Sequence, residues 1–278
     1  MRNIAPYEIY AIRYGTHAAR RAHENFIGGD PHDDAPMPLD YFLWAIVGRD
    51  RVFVVDTGFD ETMGRRRGRE FLFAPDETLR AVGVDPGAVE DVIITHLHYD
   101  HCGNHDLFPR ARYHLQEREM QYATGRCMCH APLRGAFEAD DVVAMVRRVH
   151  AGRVAFHDGD AELAPGVSVH HVGGHTMGLQ VVRVWTQRGW VVVASDASHL
   201  YANMEQGRPF PIVYSVAEML EGHARAYALA DSANHVVPGH DPEVTRRYPA
   251  ARRGLEDRAV RLDLAPSVPR EPARPGAR

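Results

Sequence analysis

The segment Thr95-His96-Leu97-His98-Tyr99-Asp100-His101 restricts the fold more than any other part of this chain. Its candidate metal ligands, His96, His98, Asp100 and His101, follow the β-type run Val92-Ile93-Ile94-Thr95 and precede Cys102-Gly103-Asn104. A strand that runs into a turn releases its ligands where the chain becomes exposed. In extended backbone His96 and His98 leave the same side, with Leu97 opposite. Asp100 and His101 must turn away and are free to serve a second ion. Neutral imidazoles with carboxylates suit Zn²⁺ and its first-row neighbours. The competing reading is a His-rich surface turn, because the chain holds 18 His.

Three later segments decide between these readings, because each repeats one pattern: a β run, then a ligand beside Gly or at a turn. Gly173-Gly174-His175-Thr176 follows residues 167–172, Asp196 follows residues 190–195, and Gly239-His240-Asp241 follows residues 235–238. Singly each has a plain explanation, a loop histidine or a helix-capping aspartate. Together they put His96, His98, Asp100, His101, His175, Asp196 and His240 at the ends of four strands. That is how a metal site at the edge of a sheet is built.

The rest of the chain reads as alternating strands and late helices. Strands are expected at residues 7–14, 41–47, 52–55, 91–95, 111–115, 153–156, 167–172, 179–185, 190–195 and 235–237, with a hairpin turn at 48–51. Helices are expected at 76–82, 117–122, 138–150 and 215–230; the third carries an apolar stripe of Val142, Val143, Met145, Val146 and Val149. Residues 15–38 form a long polar loop, a length often tied to function. Dominant hairpins favour mixed sheets packed face to face with helices outside, over a doubly wound parallel sheet. Residues 1–250 are expected to form a single domain. Residues 251–278 are an Arg/Pro-rich tail, expected to be disordered from Ser267.

Bulk properties exclude several classes. A chain of 278 residues with 45% hydrophobic content can bury a substantial core. A net charge of -5, with no basic stripe, argues against nucleic acid and against a polybasic membrane anchor. No signal core or membrane-length apolar run is present, so the expected location is cytoplasmic. Three Cys do not make a disulfide framework, and Cys127-Met128-Cys129-His130 lacks a second ligand pair. The basic residues are all Arg, so no Lys can act as a Schiff-base nucleophile.

The motif His96-Leu97-His98-Tyr99-Asp100-His101, followed by His175, Asp196 and His240 and preceded by Asp56-Thr57-Gly58, resembles the metallo-β-lactamase-fold hydrolases in number, order and spacing of ligands. The resemblance covers roughly residues 7–248. It implies an α/β (α+β) fold, a four-layer αββα sandwich with the site at one edge of the paired sheets. It also implies a ligand assignment: His96, His98 and His175 on a first ion, Asp100, His101 and His240 on a second, Asp196 bridging. The implied cofactors are two divalent metal ions, zinc by default, with manganese, iron or cobalt also compatible.

Within this superfamily, true β-lactamases usually lack a His at position 101 or place Cys at position 196. The oxygen-reducing diiron branch has an acid at position 98, and the nuclease branches carry nucleic-acid-binding elements. The chain looks most like the N-acyl homoserine lactonase and 4-pyridoxolactonase group, which shares the segment Asp196-Ala197-Ser198. That group usually continues with a Tyr that contacts the substrate carbonyl; here the position is His199, with Tyr201 two residues on.

The implied reaction is opening of a lactone by a metal-bridging hydroxide. Asp100 passes a proton to the leaving oxygen, and His199 or Tyr201 donates to the oxyanion. Phe26, Met37, Met128 and Phe137, from residues 15–38 and 126–140, are candidate pocket walls. The implied partners are a small-molecule substrate and, by resemblance alone, a second copy in a homodimer. Three rival readings stay open: a glyoxalase-II-like thioesterase, a hydrolase of another cyclic ester, amide or xenobiotic, and a metal-binding protein without catalysis.

Overall fold

The computed structural model describes residues 4–268. Its strands are β1 (Glu8–His17), β2 (Leu39–Val47), β3 (Val52–Val55), β4 (Glu70–Phe71), β5 (Asp91–Ile93), β6 (Arg112–Gln116), β7 (Val154–His157), β8 (Ala161–Ala164), β9 (Val167–His171), β10 (Gln180–Thr186), β11 (Gly189–Ser195), β12 (Val236–Pro238) and β13 (Ala259–Arg261). One sheet runs β13-β1-β2-β3-β5-β6-β7, with β4 also on β1; the other runs β12-β11-β10-β9-β8. The two mixed sheets are flanked by helices, as expected.

Connection length explains which pairs are parallel. β1, β2 and β3 are joined antiparallel, whereas β3, β5, β6 and β7 are parallel. Parallel neighbours need a crossover. Helix Pro75–Ala81 lies in the connection from β3 to β5, and helix Ala139–His150 in that from β6 to β7. In the second sheet only β11 and β12 are parallel, and helix Val216–Leu229 lies between them in sequence. That helix starts where Ser215 accepts a hydrogen bond from the Glu218 amide, a local side-chain cap.

Strand periodicity sorts the apolar residues into two cores. Ile9, Phe42, Trp44, Phe53, Val55 and Ile93 pack with Val169, Val181 and Val193 of the second sheet. Their neighbours Tyr10, Ile12, Leu43, Val54 and Val92 pack with Leu79 and Met145 of the outer helices. Full burial of a side chain such as Phe42 or Phe53 contributes about 1.5–3 kcal/mol. Register is therefore fixed on both faces of the first sheet, since a one-residue slip would exchange the two sets.

Several expectations need correction. The stretch from residue 251 is not all tail. β13 pairs with β1 through Tyr10–Arg261, Ala11–Val260 and Ile12–Ala259, and Ala259, Val260 and Leu262 are buried. Composition hid this short strand among Arg and Pro. The disorder expected from Ser267 falls almost wholly outside the described residues. On helix Ala139–His150, Val142 and Met145 are buried but Val143 is exposed, because one residue's rotation carries it off the inner face. Short elements such as β8 and helices Glu61–Arg66 and Tyr201–Gln206 were not anticipated. Among the described residues no helix is long and apolar enough to cross a membrane.

Candidate metal centre

The seven expected ligands converge at the strand ends. His96, His98, His175 and Asp196 form one buried group, and Asp100, His101 and His240 form another; within each group the ligand atoms lie within 4.8 Å of one another. Asp196 stands between them. Its Oδ1 lies 2.9 Å from His240 Nε2 and 3.2 Å from His101 Nε2. Its Oδ2 lies 3.1 Å from His175 Nε2 and 3.7 Å from His96 Nε2. One carboxylate oxygen thus faces each group. His98 reverses the pattern and presents Nδ1, 3.0 Å from His96 Nε2 and 2.9 Å from His175 Nε2.

Neighbours on the far side of each ring set the tautomers. His175 Nδ1 lies 2.7 Å from the Ile212 carbonyl oxygen, and His240 Nδ1 2.9 Å from the Asp40 carbonyl oxygen. A carbonyl only accepts, so both Nδ1 atoms carry the proton and both Nε2 lone pairs face inward. His101 Nδ1 donates to Asp56 Oδ2 at 2.7 Å. His96 Nδ1 lies 3.1 Å from Thr95 Oγ1, whose own proton goes to Asp56 Oδ2 at 2.8 Å; His96 Nδ1 is therefore a donor. Four imidazole lone pairs thus point at carboxylate oxygens or at one another.

Acceptors facing acceptors at about 3 Å repel unless positive charge sits among them. This donor set fits divalent cations, and so does the arrangement in which a ligating His gives its other N–H to a carbonyl or carboxylate. Burial pushes His96 and His98 well below the ordinary histidine range, and neighbouring imidazoles add to it. Burial alone would also lower His101 and His240. The carboxylates of Asp196 and Asp100 outweigh it and push both up. The site calls for positive charge, which a metal ion supplies without protonating its ligands.

Local backbone delivers these groups. Asp56 and Thr95 follow β3 and β5, and Ser195 ends β11, all beside one another: Thr95 N–H donates to Asp56 Oδ1 at 2.7 Å, and Thr95 Oγ1 lies 2.9 Å from Ser195 Oγ. The chain ties the two sheets together beneath the ligands. Asp56 and Ser195 both have positive φ, 61° and 45°, a strained conformation for residues with a Cβ. Gly174 also has positive φ, and a Cβ there would meet the Met219 backbone at 2.5 Å. His175 therefore needs the glycine before it.

Glu119 was missed by sequence reasoning. It is wholly buried on helix Glu117–Thr124, where Oε1 accepts from Leu97 N–H at 2.9 Å and Oε2 from Gly178 N–H at 3.0 Å. It clamps the loop of His96 and His98 to the loop of His175. Nothing local in the sequence marks it.

The candidate ligands open into a cavity of about 200 Å³. His98, Asp100, His175, Asp196, His199 and His240 line it, with Leu39, Tyr41, Phe210 and Ile212 among its walls. His199 Nε2 lies 3.1 Å from Asp196 Oδ2, and its ring stacks on Phe210 with centroids 3.6 Å apart. Burial holds His199 neutral, lowered to about 3. Tyr201 is not brought to the cavity. Its ring is buried under the Arg247 guanidinium, because the helix Tyr201–Gln206 turns it into the core. Of the expected walls, Phe137 packs edge-on against His98, while Phe26 and Met37 line a separate surface hollow. Met128 is not among the residues lining the cavity. The two expected loops do contribute, through Arg20 and through Gly135 and Ala136. The Cys127-to-His130 fragment forms no metal-ligand grouping among the described residues.

Residues 38–240 match the sequence profile of the metallo-beta-lactamase superfamily. The chain is 29% identical over 227 residues to the N-acyl homoserine lactonase AiiB of Agrobacterium fabrum, covering 74% of this chain and 80% of that protein. In structure it resembles a quorum-quenching N-acyl homoserine lactone lactonase, with TM-score 0.68, 21% identity, and 86% and 94% of the two chains covered. It also resembles AidC, a dizinc quorum-quenching lactonase, with TM-score 0.65, 14% identity, and 86% and 89% covered.

Proposed function

The chain belongs to the metallo-β-lactamase superfamily, and from that premise we propose that it is a dinuclear metal-dependent hydrolase that opens the ring of a lactone or related cyclic ester. His96, His98 and His175 would hold one divalent ion, Asp100, His101 and His240 the other, with Asp196 shared between the two groups. Zinc is the ion this His-rich set suits first. When bound, the two ions supply Lewis acidity at the ester carbonyl and a water acidic enough to ionise near neutral pH.

The observation that carries this reading is the direction of the imidazole lone pairs. His175 and His240 are committed as inward acceptors by carbonyl oxygens, and His101 by the Asp56 carboxylate. The lactone assignment rests on kinship with the lactonases, at identities below one third.

The chain's own residues have distinct tasks. The Asp100 carboxylate lines the cavity; it takes the proton released as the water oxygen bonds to the carbonyl carbon and returns it to the ring oxygen as the acyl C–O bond breaks. His199 donates from Nε2 to Asp196 Oδ2, because a carboxylate only accepts; it orients the bridging carboxylate. Leu39, Phe210 and Ile212 exclude water from one side of the substrate.

The test joins metal analysis to a substrate screen on one preparation. Two divalent ions per chain are expected, with ring opening of lactones that is lost on chelation and restored by zinc. A metal-free preparation that remains active would end the reading. Faster turnover of thioesters than of every lactone would move the protein to the thioesterases.

A further inference from the structure

We propose that the substrate carries a carboxylate, which Arg69 binds with support from Arg20; this rests on the hydrolase reading above and narrows its substrate class. The cavity that exposes the metal-ligand set also exposes three guanidinium groups, from Arg20, Arg67 and Arg69. Arg67 is ion-paired with Glu138, which Arg66 also engages. Arg20 and Arg69 form no ion pair among the described residues. Arg69 Nε donates to the Tyr99 hydroxyl at 3.2 Å, and its Nη1 lies 3.4 Å from His17 Nε2. Arg20 donates to Asn25 Oδ1 at 2.5 Å and to the Glu24 carbonyl at 2.7 Å, with its guanidinium 4.7 Å over Phe210. These hydrogen-bond partners are neutral and fix the side chains in place; the nearest acidic groups that act on them, Glu24 on Arg20 and Asp100 on Arg69, form no ion pair with either among the described residues.

Two partly buried guanidinium groups with no carboxylate in ion-pair contact leave room for an anionic partner. They stand out in a chain whose net charge is -5. The carboxylates that share the cavity, Asp100 and Asp196, are committed to the ion set. His17, whose Nε2 lies 3.4 Å from Arg69 Nη1, is lowered to about 4 by burial and then by Arg69 and Arg20, so both positive charges bear on that ring. A planar guanidinium fork matches a carboxylate in two parallel hydrogen bonds. The cavity, at about 200 Å³, is small for a ligand pocket, so a charged group on the substrate would lie close to the guanidinium groups that line it.

The experiment uses the zinc-loaded full chain, as wild type, Arg69→Gln, Arg69→Lys and Arg20→Gln. Turnover is compared on γ-butyrolactone bearing a ring carboxylate and on its carboxamide. Binding is measured by calorimetry with the non-hydrolysable lactam 2-pyrrolidone-5-carboxylate and its carboxamide. Wild type should favour the acid about 10–100-fold in kcat/KM, chiefly through KM, and should bind the lactam acid over its amide. That ratio should fall towards one in Arg69→Gln, recover in part in Arg69→Lys, and drop less in Arg20→Gln. Should Arg69→Gln fail to fold, the other two variants decide. A wild-type ratio near one, or a ratio that no variant moves, overturns the proposal. Lactones opened without preference for the acid would sink it and leave the hydrolase standing. Selective lactam binding with no lactone opened would do the reverse.

Discussion

Single atoms decide what this centre can hold. His101 presents Nε2 to Asp196 and Asp100 only because Asp56 Oδ2 takes its Nδ1 proton. Asp56 also accepts from the Thr95 amide and hydroxyl, so it is anchored before it acts on His101. Asp56→Asn keeps the shape but removes the charge and sets an amide where an acceptor is needed. Metal affinity at the His101 group should fall roughly 10–100-fold, measured by competition with a chromophoric chelator. Unchanged affinity would mean that Asp56 does not orient the ring.

Elements matter through where they end. β3, β5 and β11 stop side by side, at Val55, Ile93 and Ser195, and the residues that follow carry the centre. Glu119 holds two of the resulting loops together through the Leu97 and Gly178 amides. Glu119→Ala leaves both buried donors unsatisfied, at about 1–3 kcal/mol each. A lower urea midpoint is expected together with weaker metal binding, since the loops of His96 and His175 lose their common support. A stability loss with metal affinity intact would restrict Glu119 to folding. The packing leaves almost no slack here: a Cβ at Gly178 would lie 2.1 Å from the Glu119 amide nitrogen.

At the level of the whole molecule, the chain after residue 250 closes the edge of the first sheet. Asp263 accepts from the Ile9 amide at 3.1 Å and pairs with Arg261, while Val260 and Leu262 complete the core. A protein ending at residue 250 should therefore be less soluble and melt well below full length, by calorimetry. An equal melting temperature would restore the view of this region as a tail.

The fold also couples to pH through His223, which is lowered to about 4, by burial foremost, against an ordinary 6.5. Unfolded, that ring binds a proton below about 6.5; folded, it does so only near 4. Its contribution is thus complete above 6.5 and is lost as pH falls through that window. The stability of wild type relative to His223→Gln should decline between pH 7 and pH 4. A constant difference across that range would show that burial does not control the ring.

Sequence alone carried the candidate ligands and their order, because metal chemistry admits few side chains and strands place them at ends that turns and glycines mark. His96, His98, Asp100, His101, His175, Asp196 and His240 were legible for that reason, as were the mixed sheets implied by hairpins and late helices. The supporting shell was not legible. The carbonyls of Asp40 and Ile212 that fix two imidazoles belong to backbone, which every residue has. Glu119 and Arg69 look like ordinary surface charges until folding buries one and turns the other into the cavity. Tyr201 looked like a candidate beside the site until its helix turned it into the core. Local pattern names the groups capable of chemistry; their direction, tautomer and charge partners arise from contacts between residues far apart in the chain, which only the packed structure specifies.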